Sequence, residues 1–157
     1  MQALDLLAAS PVAAALRRSE VLYPLVNAGH ILGLALLVGA IATLDLRLLG
    51  LFGRHPLAHL GPPLRRVAAA GLVLAVATGV PLFSVRPVAY AANPAFLLKL
   101  GLVGLGIANA AVLHRSPRWR AAIAGAPVSA GLRAAALLSL LVWVAAIGAG
   151  RWIGFLE

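Results

Sequence analysis

Cysteine is absent from the 157 residues of this chain. That single lack excludes disulfides, Cys-ligated zinc, iron–sulfur clusters and thiol catalysis, so any metal must be held by histidine, carboxylate or backbone. Charge is scarce as well. Charged residues make up 11% of the chain and hydrophobic ones 62%, and the mean hydropathy is +1.00. A soluble domain needs far more polar surface than this. Methionine occurs once, which leaves the chain without the soft ligands that Cu(I) transport demands. The sequence also lacks a serine triad, paired carboxylates, a phosphate-binding glycine loop and a zincin motif. Strand-like alternation is missing too, and a β-barrel is thereby excluded.

What the chain does have is long apolar runs. Four of them, at about residues 19–46, 64–86, 95–115 and 128–153, are each near the ~20 residues that one bilayer crossing requires. An all-α, integral membrane four-helix bundle of up-down topology follows, as a single domain over residues 19–157. Residues 1–18 read as a short interfacial helix broken near Pro11, with Arg17 and Arg18 at its end. Ser19 is the cap candidate of the first span, and Gly61-Pro62-Pro63 is the breaker ahead of the second. Small residues recur at helical spacing: Gly71, Ala75 and Gly79 in the second run, Gly101, Gly104, Ala108 and Ala111 in the third. Such stripes let helix backbones approach closely in lipid. In the fourth run Ser139, Trp143, Ala146 and Gly150 share a stripe.

The formal net charge is +9, but the arginines fall between the apolar runs and form no nucleic-acid reading surface, so anionic lipid is their expected partner. The loops after the first and third spans hold Arg47, Arg54, Arg65, Arg66, Arg115, Arg118, Arg120 and Arg133. The other side holds Arg17, Arg18, Arg86, Lys99 and Arg151, offset by Asp5, Glu20 and Glu157. By the positive-inside rule both termini lie outside the cytoplasm of a bacterial inner membrane. Asp45 and Arg47, at the inner end of the first span, are placed to pair with the basic loops, and Trp119 and Trp152 to act as interfacial anchors.

Polar residues inside a span carry the functional reading, because lipid tolerates them poorly. Tyr23, Asn27 and His30 stand at i, i+4 and i+7 of the first run, a stripe expected to face protein. A neutral His30 imidazole in that place suits a ligand to haem b or another metal, with Asn27 or Tyr23 beside it. It equally suits a hydrogen bond to a neighbouring helix's carbonyl or hydroxyl that ties the bundle together. Lys99 lies in the same outer half, where its chain can snorkel to the interface or its ammonium can meet a haem propionate, an anion or a quinone head group. Trp143 is a packing residue or a porphyrin neighbour. His114 closes the third run, and His55 and His59 sit four apart near Pro56; all three lie at the inner boundary, as metal ligands or as solvated side chains. Helical rise puts His30 about 14 Å and His114 about 28 Å from the outer edge. The two cannot be axial ligands of one haem.

The segments LYPLVNAGHILGLALLVGAIATLDLRLLG, LRRVAAAGLVLAVATGVPLFSV and YAANPAFLLKLGLVGLGIANAAVLH resemble a family of small bacterial four-helix membrane proteins. That resemblance implies the fold and no activity. More distantly, a first-span histidine, a basic residue at that span's end and a lysine before a histidine-terminated third span are similar to the copper-resistance-D-like and HemJ-like membrane proteins. In HemJ-type protoporphyrinogen oxidases a first-helix histidine and a later lysine matter for haem and activity, which implies His30 and Lys99 here. The aromatic and arginine pattern of the HemJ first helix is absent, so the oxidase reaction is not implied. Three readings result: a b-type haem protein in electron transfer, alone or as the membrane subunit of a larger redox complex; a copper- or metal-handling protein; and a cofactor-free anchor or assembly subunit. A redox partner protein and self-association belong to the first and third.

Overall fold

The computed structural model describes residues 2–156 and is helical almost throughout, with no strand among the described residues. Four helices are long and apolar enough to cross a membrane: α3 (Leu22–Leu49), α4 (Leu57–Val85), α6 (Pro94–Arg115) and α8 (Ala130–Trp152), the last extended by a 3₁₀ turn over Ile153–Phe155. Shorter helices flank them: α1 (Gln2–Ala8), α2 (Pro11–Arg18), α5 (Pro87–Ala92) and α7 (Pro117–Ile123). The protein is a four-span membrane bundle. Its long helices alternate in direction, so the termini and α5 share one end, called here the terminal end. The loops rich in arginine share the other.

Local chemistry explains the boundaries. Ser10 accepts from the Ala13 amide at 3.2 Å, and Pro11, which needs no hydrogen-bond partner, opens α2. Pro11 therefore starts a second short helix as well as ending the first. The Ser19 hydroxyl accepts from Leu22 at 3.0 Å, so Ser19 does help to begin the first span, three residues further on than its own position. Gly50, at φ 115°, ends α3 in a left-handed conformation that glycine adopts without strain. Asn93 caps α6 by accepting from Ala95 and Phe96, while its amide donates to the Ile153 carbonyl at 3.2 Å.

Gly61-Pro62-Pro63 does not break the chain. The α4 helix begins at Leu57 and runs through all three residues. Both prolines fall in its second turn, where the carbonyls they leave unpaired belong to Ala58 and His59, which are exposed near the helix end. Polar surroundings at that end can satisfy them.

The tightest packing joins α3 to α4, and the next α6 to α8; α3 and α8 connect the two pairs. At the α3–α4 crossing a Cβ on Gly71 would lie 2.5 Å from the Leu37 nitrogen and 2.7 Å from the Gly33 oxygen. A Cβ on Gly33 would lie 2.6 Å from the Ala75 nitrogen. Backbone meets backbone there, as the small-residue stripe of the second span predicts. The stripe of the third span behaves otherwise. Gly101 and Gly104 have open space before them, and α6 buries Ala95, Gly106 and Leu113 instead. On α8 the expected stripe is the packed one, with Ser139, Trp143 and Ala146 buried.

The arginine-rich end is sealed by a core of Leu44, Leu48, Leu57, Leu113, Trp119, Ala122, Leu132 and Ala136. Trp119 is thus a core residue rather than an interfacial anchor, its ring edge-on to His114 at 4.7 Å. Trp152 stays exposed at the terminal end. There α2 buries Ala13 and Leu16, and the Arg17 guanidinium donates to the carbonyls of Ala8 at 2.7 Å and Val85 at 3.3 Å.

Gly71→Ala should lower stability by about 1–3 kcal/mol through overpacking, whereas Gly104→Ala should change it by no more than about 1 kcal/mol. Unfolding of the purified protein by graded SDS measures both, and equal losses at the two sites would contradict the backbone crossing.

Candidate functional site

His30 projects from α3 onto α4. Its Nδ1 lies 2.9 Å from the Ala75 carbonyl oxygen and 3.2 Å from Thr78 Oγ1. A carbonyl can only accept, so Nδ1 carries the hydrogen. The Thr78 hydroxyl donates its own proton to the Leu74 carbonyl at 2.6 Å, leaving a lone pair for the same N–H. In the neutral ring Nε2 is then the nitrogen without a hydrogen. It has no hydrogen-bond partner among the described residues and is not sealed from its surroundings. The ring lies over Gly79, where a Cβ would stand 3.0 Å from Cε1. Thr78, which the sequence reading passed over, completes this arrangement; its signal was a hydroxyl one residue before the last glycine of the small-residue stripe.

Lys99 joins His30 in the terminal half, within electrostatic range of the imidazole. Its chain crosses Gly150 of α8, with Cδ 3.4 Å and Nζ 3.7 Å from the place of a Cβ. No carboxylate among the described residues offsets the ammonium. Tyr23 and Asn27 depart from expectation. Both are exposed on the surface of the chain, so only the His30 end of the polar stripe faces protein. Three aromatic rings, Phe83, Tyr90 and Phe96, stack nearby at the α4–α5–α6 junction, with centroids 5.4–6.1 Å apart.

The remaining predicted residues lie elsewhere. Trp143 is 3% exposed and presses its indole on Gly106. His114 is in the arginine-rich half, about 18 Å deeper than His30 by helical rise, its imidazole bonded to the Ala110 carbonyl and near Arg65. His55 precedes α4 while His59 is within it, and both are exposed, so they do not share one helical turn. Among the described residues no three His, Asp or Glu side chains come together to hold a metal.

Trp143 and His114 instead line a cavity of about 240 Å³ together with Leu37, Leu44, Leu72 and Ile107. It lies where α4 and α6 fail to pack closely. The Trp143 Nε1 and His114 Nε2 atoms are buried without a partner, as is Oδ2 of Asp45. Asp45 does not reach the basic loops. It is 3% exposed and hydrogen-bonds Ser139 of α8, while Arg47 donates to the His55 carbonyl at 2.7 Å.

Neither a family model, a curated protein nor a solved structure matches the chain. Fold and site together define a four-span helical membrane bundle with an intramembrane histidine whose tautomer is set by the neighbouring helix.

Ser139→Ala removes the hydrogen bond to a buried carboxyl and should cost about 1–3 kcal/mol. Thermal unfolding of the detergent-solubilised protein reads this, and an unchanged midpoint would mean that the Asp45–Ser139 bond contributes nothing.

Proposed function

We propose that this protein is a b-type haem-binding membrane protein taking part in electron transfer, with His30 Nε2 as an axial ligand. The observation that carries the reading is the split use of the imidazole. Histidines that bind metals characteristically donate the other ring N–H to a carbonyl or carboxylate, which fixes the tautomer and aims the free lone pair. The Ala75 carbonyl does this for His30. Lys99 supports the same site, since an uncompensated ammonium in the terminal half suits a propionate.

The surroundings bear on how such a group would be held. A cavity of roughly 150 Å³ takes one aromatic ring, so the cavity of about 240 Å³ beside Trp143 is too small for a tetrapyrrole, and His30 is not in its wall. Haem would sit against the partly open face of α3, next to the exposed Tyr23 and Asn27. A second copy or a larger redox complex would cover its other side. Haem supplies a one-electron carrier whose potential follows its axial ligation and burial. The chain's own part is to keep Nε2 unprotonated and oriented, and to place a cation beside it. In this reading the terminal end faces outward from a bacterial inner membrane, with the arginine-rich end in the cytoplasm.

One observation favours a cofactor-free anchor: the bonds to Ala75 and Thr78 already tie α3 to α4 without any ligand. The absorption spectrum separates the two. Protein purified from haem-replete cells should show a Soret band that is lost in His30→Ala and kept in His114→Ala. A colourless wild type with normal folding would leave the anchor reading. Thr78→Val, which keeps the Ala75 acceptor, should retain the band.

A further inference from the structure

The arginine-rich end carries positive charge that the chain itself does not balance. Arg54, Arg65, Arg66, Arg115, Arg120 and Arg133 are exposed there, as is Arg118. Among the described residues none of them pairs with a carboxylate. The acid of that half, Asp45, is 3% exposed and bonded to Ser139, while Asp5 and Glu20 lie at the terminal end. Like charges repel, yet the fold gathers them. Arg118 of α7 lays its chain over Gly131 in the first turn of α8, its Nη1 2.8 Å from the place of a Cβ. Its guanidinium thus stands beside the turn that also carries Arg133. Arg65 and Arg66 are neighbours on α4.

Depth decides what can neutralise these groups. The uncharged part of α4, residues 67–85, rises about 28 Å, close to the ~30 Å of a hydrocarbon core. The helix starts earlier, at Leu57, so residues 57–66 stand beyond the hydrocarbon, with Arg65 and Arg66 nearest to it, at the level of lipid phosphates. Helix α7 packs beside that stretch, its Trp119 ring 3.6 Å from the place of a Cβ on Gly61. It turns Trp119 and Ala122 inward and leaves Arg118 and Arg120 exposed. A soluble partner would have to enter the head-group layer to meet these side chains, whereas lipid phosphates are already in it. A guanidinium binds a phosphate through two parallel N–H bonds. Zwitterionic lipid brings its own cation with the phosphate, so lipid of net negative charge is favoured.

We propose that the arginine-rich end binds anionic phospholipids, with their phosphates on Arg65 and Arg66 of α4 and on Arg118 and Arg133 where α7 meets α8, and so gathers such lipid in one leaflet. Its place sets this apart from the attraction that net charge alone exerts, because the terminal end has no part in it. No residue of the His30 site takes part either, so the assignment does not depend on haem.

The test places the full chain in phosphatidylcholine nanodiscs with a small fraction of chain-spin-labelled lipid and reads the immobilised fraction by electron paramagnetic resonance. Wild type should immobilise labelled phosphatidylglycerol in preference to labelled phosphatidylcholine by about fivefold or more, the equivalent of one arginine near a charged membrane surface. The preference should shrink at about 1 M salt, where screening is nearly complete within ~3 Å. Replacing Arg65, Arg66, Arg118 and Arg133 together by glutamine should remove it. Arg18→Gln with Arg151→Gln, at the terminal end, should keep it, and so should His30→Ala. Circular dichroism melts show whether each variant is folded. If the quadruple variant is not, the pairs Arg65→Gln/Arg66→Gln and Arg118→Gln/Arg133→Gln replace it, each with a weakened preference expected. Equal immobilisation of the two lipids by wild type would overturn the proposal, as would an undiminished preference in the variants of the arginine-rich end or an equal loss in the Arg18/Arg151 variant. Equal immobilisation together with capture of polyglutamate from solution would assign the surface to a soluble acidic partner instead.

Discussion

The architecture depends on the backbone approach of α3 and α4. Lipid tails are as apolar as leucine, so burial of apolar side chains gives little reason for two helices to associate within a bilayer; dispersion and interhelical polar bonds must do it. Gly33 and Gly71 lack the Cβ atoms that would hold these helices apart. Their closeness has a polar consequence. Only with α4 drawn this near can the His30 ring rest against Gly79 and reach a carbonyl of the facing helix. The same small residues that join the helices therefore set the tautomer of the histidine.

A different economy rules the other half of the molecule. There α7 and the first turns of α4 and α8 close over a leucine-rich core around Trp119, a soluble-like seal at an arginine-rich boundary. Above it the helices part, and polar atoms of three side chains stay unpaired. The two halves divide labour: one is closely packed and holds its histidine rigidly, while the other keeps a space and leaves hydrogen-bonding capacity unspent. Asp45, bonded to Ser139, links the pair α3–α4 to α8.

Most of the architecture could be read from the chain. Apolar length located all four spans, and the spacing of Gly71, Ala75 and Gly79 pointed to the tight crossing. Errors arose where a local rule met its context. Pro62 and Pro63 look like a breaker in isolation, but near a helix start their missing donors cost little. Gly101 and Gly104 look like a packing stripe, yet which face of an apolar helix is buried depends on neighbours that periodicity does not reveal when every face is apolar. Trp119 shows the same limit, since interfacial and buried tryptophans have identical sequence surroundings here. As for the site, the pairing of His30 with Lys99 was legible from their shared depth. Thr78 was not, because a threonine hydroxyl normally bonds within its own helix. The exposure of Tyr23 and Asn27 was hidden too, for a stripe on one helix says nothing of which neighbours lie against it.

The gap between α4 and α6 also governs supply. A cleft that opened at an aqueous end would sample solutes at their concentration in cytoplasm or outside medium. One that opens sideways samples the bilayer itself. The wall of this cleft is mostly apolar, with Arg65 among the few polar side chains in it, so whatever reached it from that side would come from among the lipids and not from water.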